Sequence, residues 1–123
     1  MQIYLDYSAT TPTRSEAIAV MQAVLTQQWG NPSSLHEWGG RAATVLEQAR
    51  MQVASLVNAH NAESIIFTSG GTEADNLAIM GVARRYTSPQ HLIISNVEHS
   101  AIAEPAKLLE QWGWQVTRLP VDR

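Results

Sequence analysis

Residues 64–119 alternate between short β-branched runs and longer amphipathic stretches, and that alternation restricts the fold more than any other feature of the chain. Ser64, Ile65, Ile66, Phe67 and Thr68 make a compact run suited to a buried strand. Ser69, Gly70, Gly71 and Thr72 form a turn, after which residues 73–83 put Ala74, Leu77, Ala78 and Val82 on one helical face. Leu92, Ile93 and Ile94 are expected to be a second buried strand. Residues 100–112 read as a helix with Ile102, Leu108, Leu109 and Trp112 on one side. Pro105 falls near its start, where a missing N–H costs least, and Gly113 is placed to stop it. Residues 114–119 alternate as a third strand. The order β-loop-α-β-loop-α-β predicts an α/β fold that begins a parallel sheet with covering helices.

The first sixty residues add no sheet core. Residues 3–5 are expected to be a short strand and residues 6–12 a loop, because Ser, Thr and Pro there favour turns. Ser15 is placed to cap a helix bearing Ala17, Val20, Met21, Val24 and Leu25, which stops before Trp29, Gly30, Asn31 and Pro32. Ser33 or Ser34 is expected to cap a longer helix whose apolar positions run from Trp38 and Ala42 to Leu56 and Val57. A three-stranded parallel sheet leaves unpaired edges and buries too little for independent stability. The expectation is therefore an incomplete domain, one piece of a longer protein.

Composition removes several function classes. With 45% apolar and 15% charged residues, the 123-residue chain suits a globular fold of about one domain. Its net charge of −3 and scattered arginines lack the basic footprint of nucleic-acid or anionic-membrane binding. No apolar run approaches the ~20 residues of a membrane span, and the start lacks a signal peptide's regions. There is no cysteine, hence no disulfide framework and no thiolate zinc site. A cytoplasmic location follows by elimination.

The chemistry concentrates between Thr68 and Asn76. Two glycines between a strand and a helix allow a sharp turn and close approach of a ligand. The helix start then offers free N–H groups and the positive end of its dipole, which suits a phosphate, with the Ser69 and Thr72 hydroxyls as further donors. A plain tight turn with a Thr cap is the alternative. The stretch lacks the lysine of a P-loop and the three-glycine dinucleotide spacing. Glu73, Asp75 and Asn76 suit the first helical turn, complementing the dipole or bonding neighbouring loops. His99, just past the second strand, is either a helix-end hydrogen-bonder or a catalytic group. His36, His60, His91 and His99 show no metal-ligand spacing, so no metal site is expected. Trp29, Trp38, Trp112 and Trp114 are read as core or interface bulk, and Arg41 and Arg50 as a solvated helix face, with subunit contacts along that helix as the alternative.

Four blocks, in order, carry a resemblance. Residues 67–76 (FTSGGTEADN) resemble the phosphate-cup segment of the class V aminotransferase group, most closely its cysteine desulfurases. Residues 4–12 (YLDYSATTP) resemble that family's opening arm, and residues 30–36 (GNPSSLH) the loop after its first helix. Glu98 and His99 stand where the family places a histidine that stacks on the cofactor ring. The resemblance implies the amino-terminal part of an aspartate aminotransferase-like fold for pyridoxal 5'-phosphate (PLP). Residues 1–14 would be an arm on the small-domain side, and residues 15–123 the first part of the large PLP-binding domain. Gly71 and Thr72 would hold the PLP phosphate. His99 would stack on the ring and assist proton transfer. Asn31, His36 and residues 9–11 would lie beside the active-site mouth.

The same resemblance implies what the chain lacks. The family uses a lysine in a Ser-x-His-Lys segment to bind PLP covalently, an acidic partner for the pyridine nitrogen, a substrate-binding arginine and a mobile cysteine. The only lysine here, Lys107, sits mid-helix with no such segment around it. The parent enzyme is expected to be a homodimer that converts L-cysteine to L-alanine and passes sulfur to acceptor or scaffold proteins for iron–sulfur cluster assembly. This chain alone is expected to be inactive. A selenocysteine or cystine lyase, or a stand-alone phosphate- or PLP-binding module, are the alternatives.

Overall fold

A computed structural model describes residues 2–122. Met1 and Arg123, the outermost residues of the two expected segments, lie outside the described residues. The chain divides into two compact units, Met1–Ile66 and Phe67–Arg123.

The second unit contains helix α3 (Gly71–Ala83), strand β1 (His91–Ser95), helix α4 (Ser100–Gln111) and strand β2 (Gln115–Leu119). The strands pair in parallel, from His91 opposite Gln115 to Ser95 opposite Leu119. The Gln115 N–H to Gln90 carbonyl and Asn96 N–H to Leu119 carbonyl bonds extend the ladder at both ends. Parallel neighbours need a crossover, and α4 supplies it while packing against β2 and α3. The core is small: Ala83, Ile94, Ala101, Ala106 and Leu109 are buried, together with Pro105. Helix α4 ends as expected. Gly113 takes φ +87, its N–H reaches the Glu110 carbonyl at 3.0 Å, and the Trp114 N–H reaches Leu109 at 2.9 Å. These are the paired bonds of a Schellman stop.

The expected strand at residues 64–68 is absent, and the sheet among the described residues is β1 and β2 alone. A strand exists only through a ladder partner. Here Ser64 instead closes a 3-10 turn (Ala62–Ser64), in which Asn61 accepts from its N–H at 2.9 Å and its hydroxyl at 2.6 Å. Ile65 continues with extended backbone.

The first unit carries helix α1 (Ser15–Gln27) and helix α2 (Glu37–Leu56). Residues 3–5 form no strand; the Tyr4 hydroxyl donates to the carbonyls of Asp6 and Thr10, folding this segment on itself. Ser15 opens α1 but does not cap it, since Arg14 holds the cap position without a side-chain bond. The apolar face of α1 stays exposed, with no buried residue in the helix. Helix α2 begins later than expected because His36, rather than a serine, is its cap, its Nδ1 accepting the Gly39 N–H at 3.2 Å. The 30–34 loop lies hard against this helix. A Cβ on Gly39 would sit 2.1 Å from the Ser34 carbonyl oxygen, and one on Gly30 2.2 Å from that of Trp38.

The tryptophans are not core. Trp29, Trp38 and Trp112 are about half exposed or more. Trp29 meets Trp38 edge-on, and the Arg41 guanidinium covers Trp38 while pairing with Glu37. Small residues (Ala42, Ala54) fill the interior instead, since bulky indoles find too little enclosing surface in so short a segment. Arg50 is also no solvated residue. It is mostly buried, pairs with Glu47 and donates to the Ile65 carbonyl.

Candidate functional site

The second unit brings two helix starts together. Gly70 precedes α3 with fully extended backbone and supplies no side-chain cap. Among the described residues, the N–H groups of Gly71, Thr72 and Glu73 meet no acceptor, and the Thr72 hydroxyl makes no hydrogen bond. Three orphan donors, a free hydroxyl and the positive end of a helix dipole make an anion-binding set. A Cβ on Gly70 or Gly71 would meet nothing within 4 Å, so packing within the chain does not demand glycine at either position.

One expected donor points elsewhere. The Ser69 hydroxyl gives its proton to Glu73 Oε2 at 2.7 Å, and the Ser69 N–H reaches the same oxygen at 2.6 Å. The backbone bond and then the hydroxyl hold the Glu73 carboxyl below its usual range. Ser69 thus serves the turn, and the anion set narrows to Gly71, Thr72 and the Glu73 N–H.

His99 stands at the start of α4 as its N-cap. Its Nδ1 accepts the Ala101 N–H at 3.1 Å, so the neutral ring carries its proton on Nε2. The ring is exposed, and Nε2 has no partner among the described residues. His99 is thus the helix-end hydrogen-bonder of its two readings, with Nδ1 as the cap and Nε2 making no bond among the described residues.

Asn76 joins the two starts. Its Nδ2 donates to the Thr72 carbonyl at 2.8 Å and to the Ala101 carbonyl at 3.3 Å. The Ala101 carbonyl is available because Pro105, one turn further on, has no N–H to offer it. The helix starts where expected, but Pro105 is its sixth residue, more than a turn inside, so its missing N–H does leave an orphan, and that orphan is met from α3. Thr72, Asn76, Ala101, Glu104 and Pro105 line a shallow, largely apolar depression of about 330 Å³ between the helices.

Other candidates lie apart from this pair. Lys107 is on the third turn of α4, eight residues beyond His99 and about 12 Å along the axis, and pairs with Glu104 at 2.6 Å. His91 Nε2 lies 2.7 Å from Thr117 Oγ1 across the sheet, and His36 is occupied as a cap. Among the described residues no group of His, Asp and Glu is arranged to hold a metal ion, and no helix is long and apolar enough to cross a membrane. Sequence reasoning gave Asn76 only a general bonding role; an asparagine on one helix and an interior proline on the next were the available signal.

The family described as Aminotransferase class-V matches residues 3–123. A protein named Cysteine desulfurase IscS from Dictyoglomus turgidum is 49% identical over 99% of this chain, which spans 31% of that protein. A solved structure described as NIFS-LIKE PROTEIN superposes with a TM-score of 0.90 at 32% identity, over 99% of this chain and 33% of its own. Another, described as SspA in complex with cysteine, gives 0.85 at 34% identity, over 94% and 33%. The chain spans about a third of the length of these relatives.

Proposed function

The chain belongs to the class-V aminotransferase family, and we propose that it forms the phosphate- and ring-binding part of a PLP-dependent cysteine desulfurase. The unpaired donors at the start of α3 carry this reading, since they fit a phosphate group by charge and by hydrogen bonding. Gly71 and Thr72 would hold the phosphate through their N–H groups and the Thr72 hydroxyl. His99 would present its ring to the pyridine, with Nε2 as the atom that holds or moves a proton near substrate. Bound PLP would supply an electron sink for bonds at the substrate Cα. Residues 1–14 would be the arm and the remainder the start of the large domain.

For the whole protein we read a cytoplasmic homodimer that takes sulfur from L-cysteine, releases L-alanine and hands the sulfur to acceptor proteins. The relatives' names support the reaction, and the similar SspA structure, which holds cysteine, favours cysteine over selenocysteine or cystine. Lys107, tied to Glu104 along α4, does not suit the covalent lysine. This chain alone would bind without turnover.

Amide NMR of the full chain during titration with inorganic phosphate tests the site. Saturable shifts at Gly71, Thr72 and Glu73 are expected, and Thr72→Ala should weaken binding roughly tenfold, the scale of one hydrogen bond. Unchanged affinity would overturn the assignment. Reading the coding sequence beyond Arg123 tests the parent: a Ser-x-His-Lys segment and a cysteine-bearing loop are expected, and an immediate stop would favour a stand-alone module.

A further inference from the structure

We propose that Asn76 is a positioning residue that sets the spacing between the phosphate-binding turn and the His99 ring. The inference rests on reading Gly71, Thr72 and His99 as cofactor residues. A continuous path joins them: the Thr72 carbonyl and the Ala101 carbonyl each accept from Asn76 Nδ2, and the Ala101 N–H donates to His99 Nδ1. Asn76 is partly buried and provides the only side-chain hydrogen bond between α3 and α4 among the described residues. Its anchor on α4 is created by Pro105, which takes away the N–H that would otherwise occupy the Ala101 carbonyl. A ligand with a phosphate at one end and an aromatic ring at the other must reach both helix starts at once. Its affinity therefore depends on their separation, whereas that of phosphate alone does not.

The experiment uses the full chain with two probes, inorganic phosphate and pyridoxine 5'-phosphate, which has the ring but no aldehyde to react with amines. Asn76→Ala is expected to leave phosphate affinity within about twofold and to weaken pyridoxine 5'-phosphate about tenfold, the scale of one lost contact. The His99 ring resonances should shift in the ligand-free variant. Adding Pro105→Ala to Asn76→Ala returns an N–H to the Ala101 carbonyl. It should recover thermal stability without recovering pyridoxine 5'-phosphate affinity, which separates positioning from folding. Equal weakening of both probes, or recovery of both properties together, would overturn the inference. If the wild-type chain binds neither probe, the cofactor reading fails. The positioning claim is then decided by the ligand-free His99 resonances, and unchanged resonances in Asn76→Ala would end it.

Discussion

Glu73 grips Ser69 with one carboxylate oxygen, taking the backbone N–H at 2.6 Å and the hydroxyl at 2.7 Å. The helix thereby ties down the residue before its own extended Gly70 entrance and leaves the next three N–H groups open. A capping box works by a similar reach backwards from the third helical position.

Acid should therefore loosen this turn. The folded state lowers the Glu73 pKa, so its contribution is present above the ordinary carboxylate range and is lost as pH falls through the depressed value. Between neutral pH and about pH 3, wild type should lose more protection from amide exchange at residues 69–72 than Glu73→Gln does. Equal losses would show that another group controls the acid response.

Arg118 on β2 clasps Glu110 on α4 with two parallel bonds of 2.7 Å, lowering the pKa of Glu110 and raising that of Arg118. Arg118→Lys keeps the charge but not the fork, and should lower the melting temperature. High salt should shrink the difference because both side chains are over a third solvent-accessible. A lysine variant that melts with wild type would reduce the pair to a surface contact.

Leu109 is 1% exposed at the centre of the second unit. Leu109→Ala should cost about 2–5 kcal/mol in denaturant unfolding, lost transfer energy plus the cavity left behind. A cost below ~1 kcal/mol would mean that neighbouring side chains collapse into the space.

Glycines should respond according to what faces them. Gly39→Ala drives a Cβ into the Ser34 carbonyl, with backbone on both sides, and should destabilise by about 1–3 kcal/mol or more. Gly81→Ala meets open space within α3 and should stabilise by about 0.5–1 kcal/mol. The same sign at both positions would contradict the packing described.

Lys107 should not capture PLP selectively. After PLP and borohydride, mass spectrometry of the digested chain is expected to show no stoichiometric adduct at that residue. A full, specific adduct there would return Lys107 to the active site.

The helices and the β1–β2 pair were legible because their signals are local: apolar spacing, the Gly70-Gly71 break and the Gly113 stop act within a few residues. The run at residues 64–68 misled for the opposite reason. Its apolar pattern states what it would do beside a partner, and strand identity belongs to the pair. His36 escaped notice as a cap because imidazole is an uncommon acceptor there, while the nearby serines are common ones. For the proposed site, Gly71, Thr72 and His99 are candidates that rest on local motifs and the family resemblance. The Asn76 link could not be read from the chain, because its value depends on a carbonyl freed by a proline 29 residues away.

That freed carbonyl should make substitutions at positions 76 and 105 depend on each other. A lineage that exchanges the proline first gains a helical bond and leaves Asn76 dispensable for the fold. One that loses the asparagine first must carry a bare, partly buried carbonyl until the proline goes. Descendants are therefore expected to reach the doubly substituted state by one route far more readily than by the other.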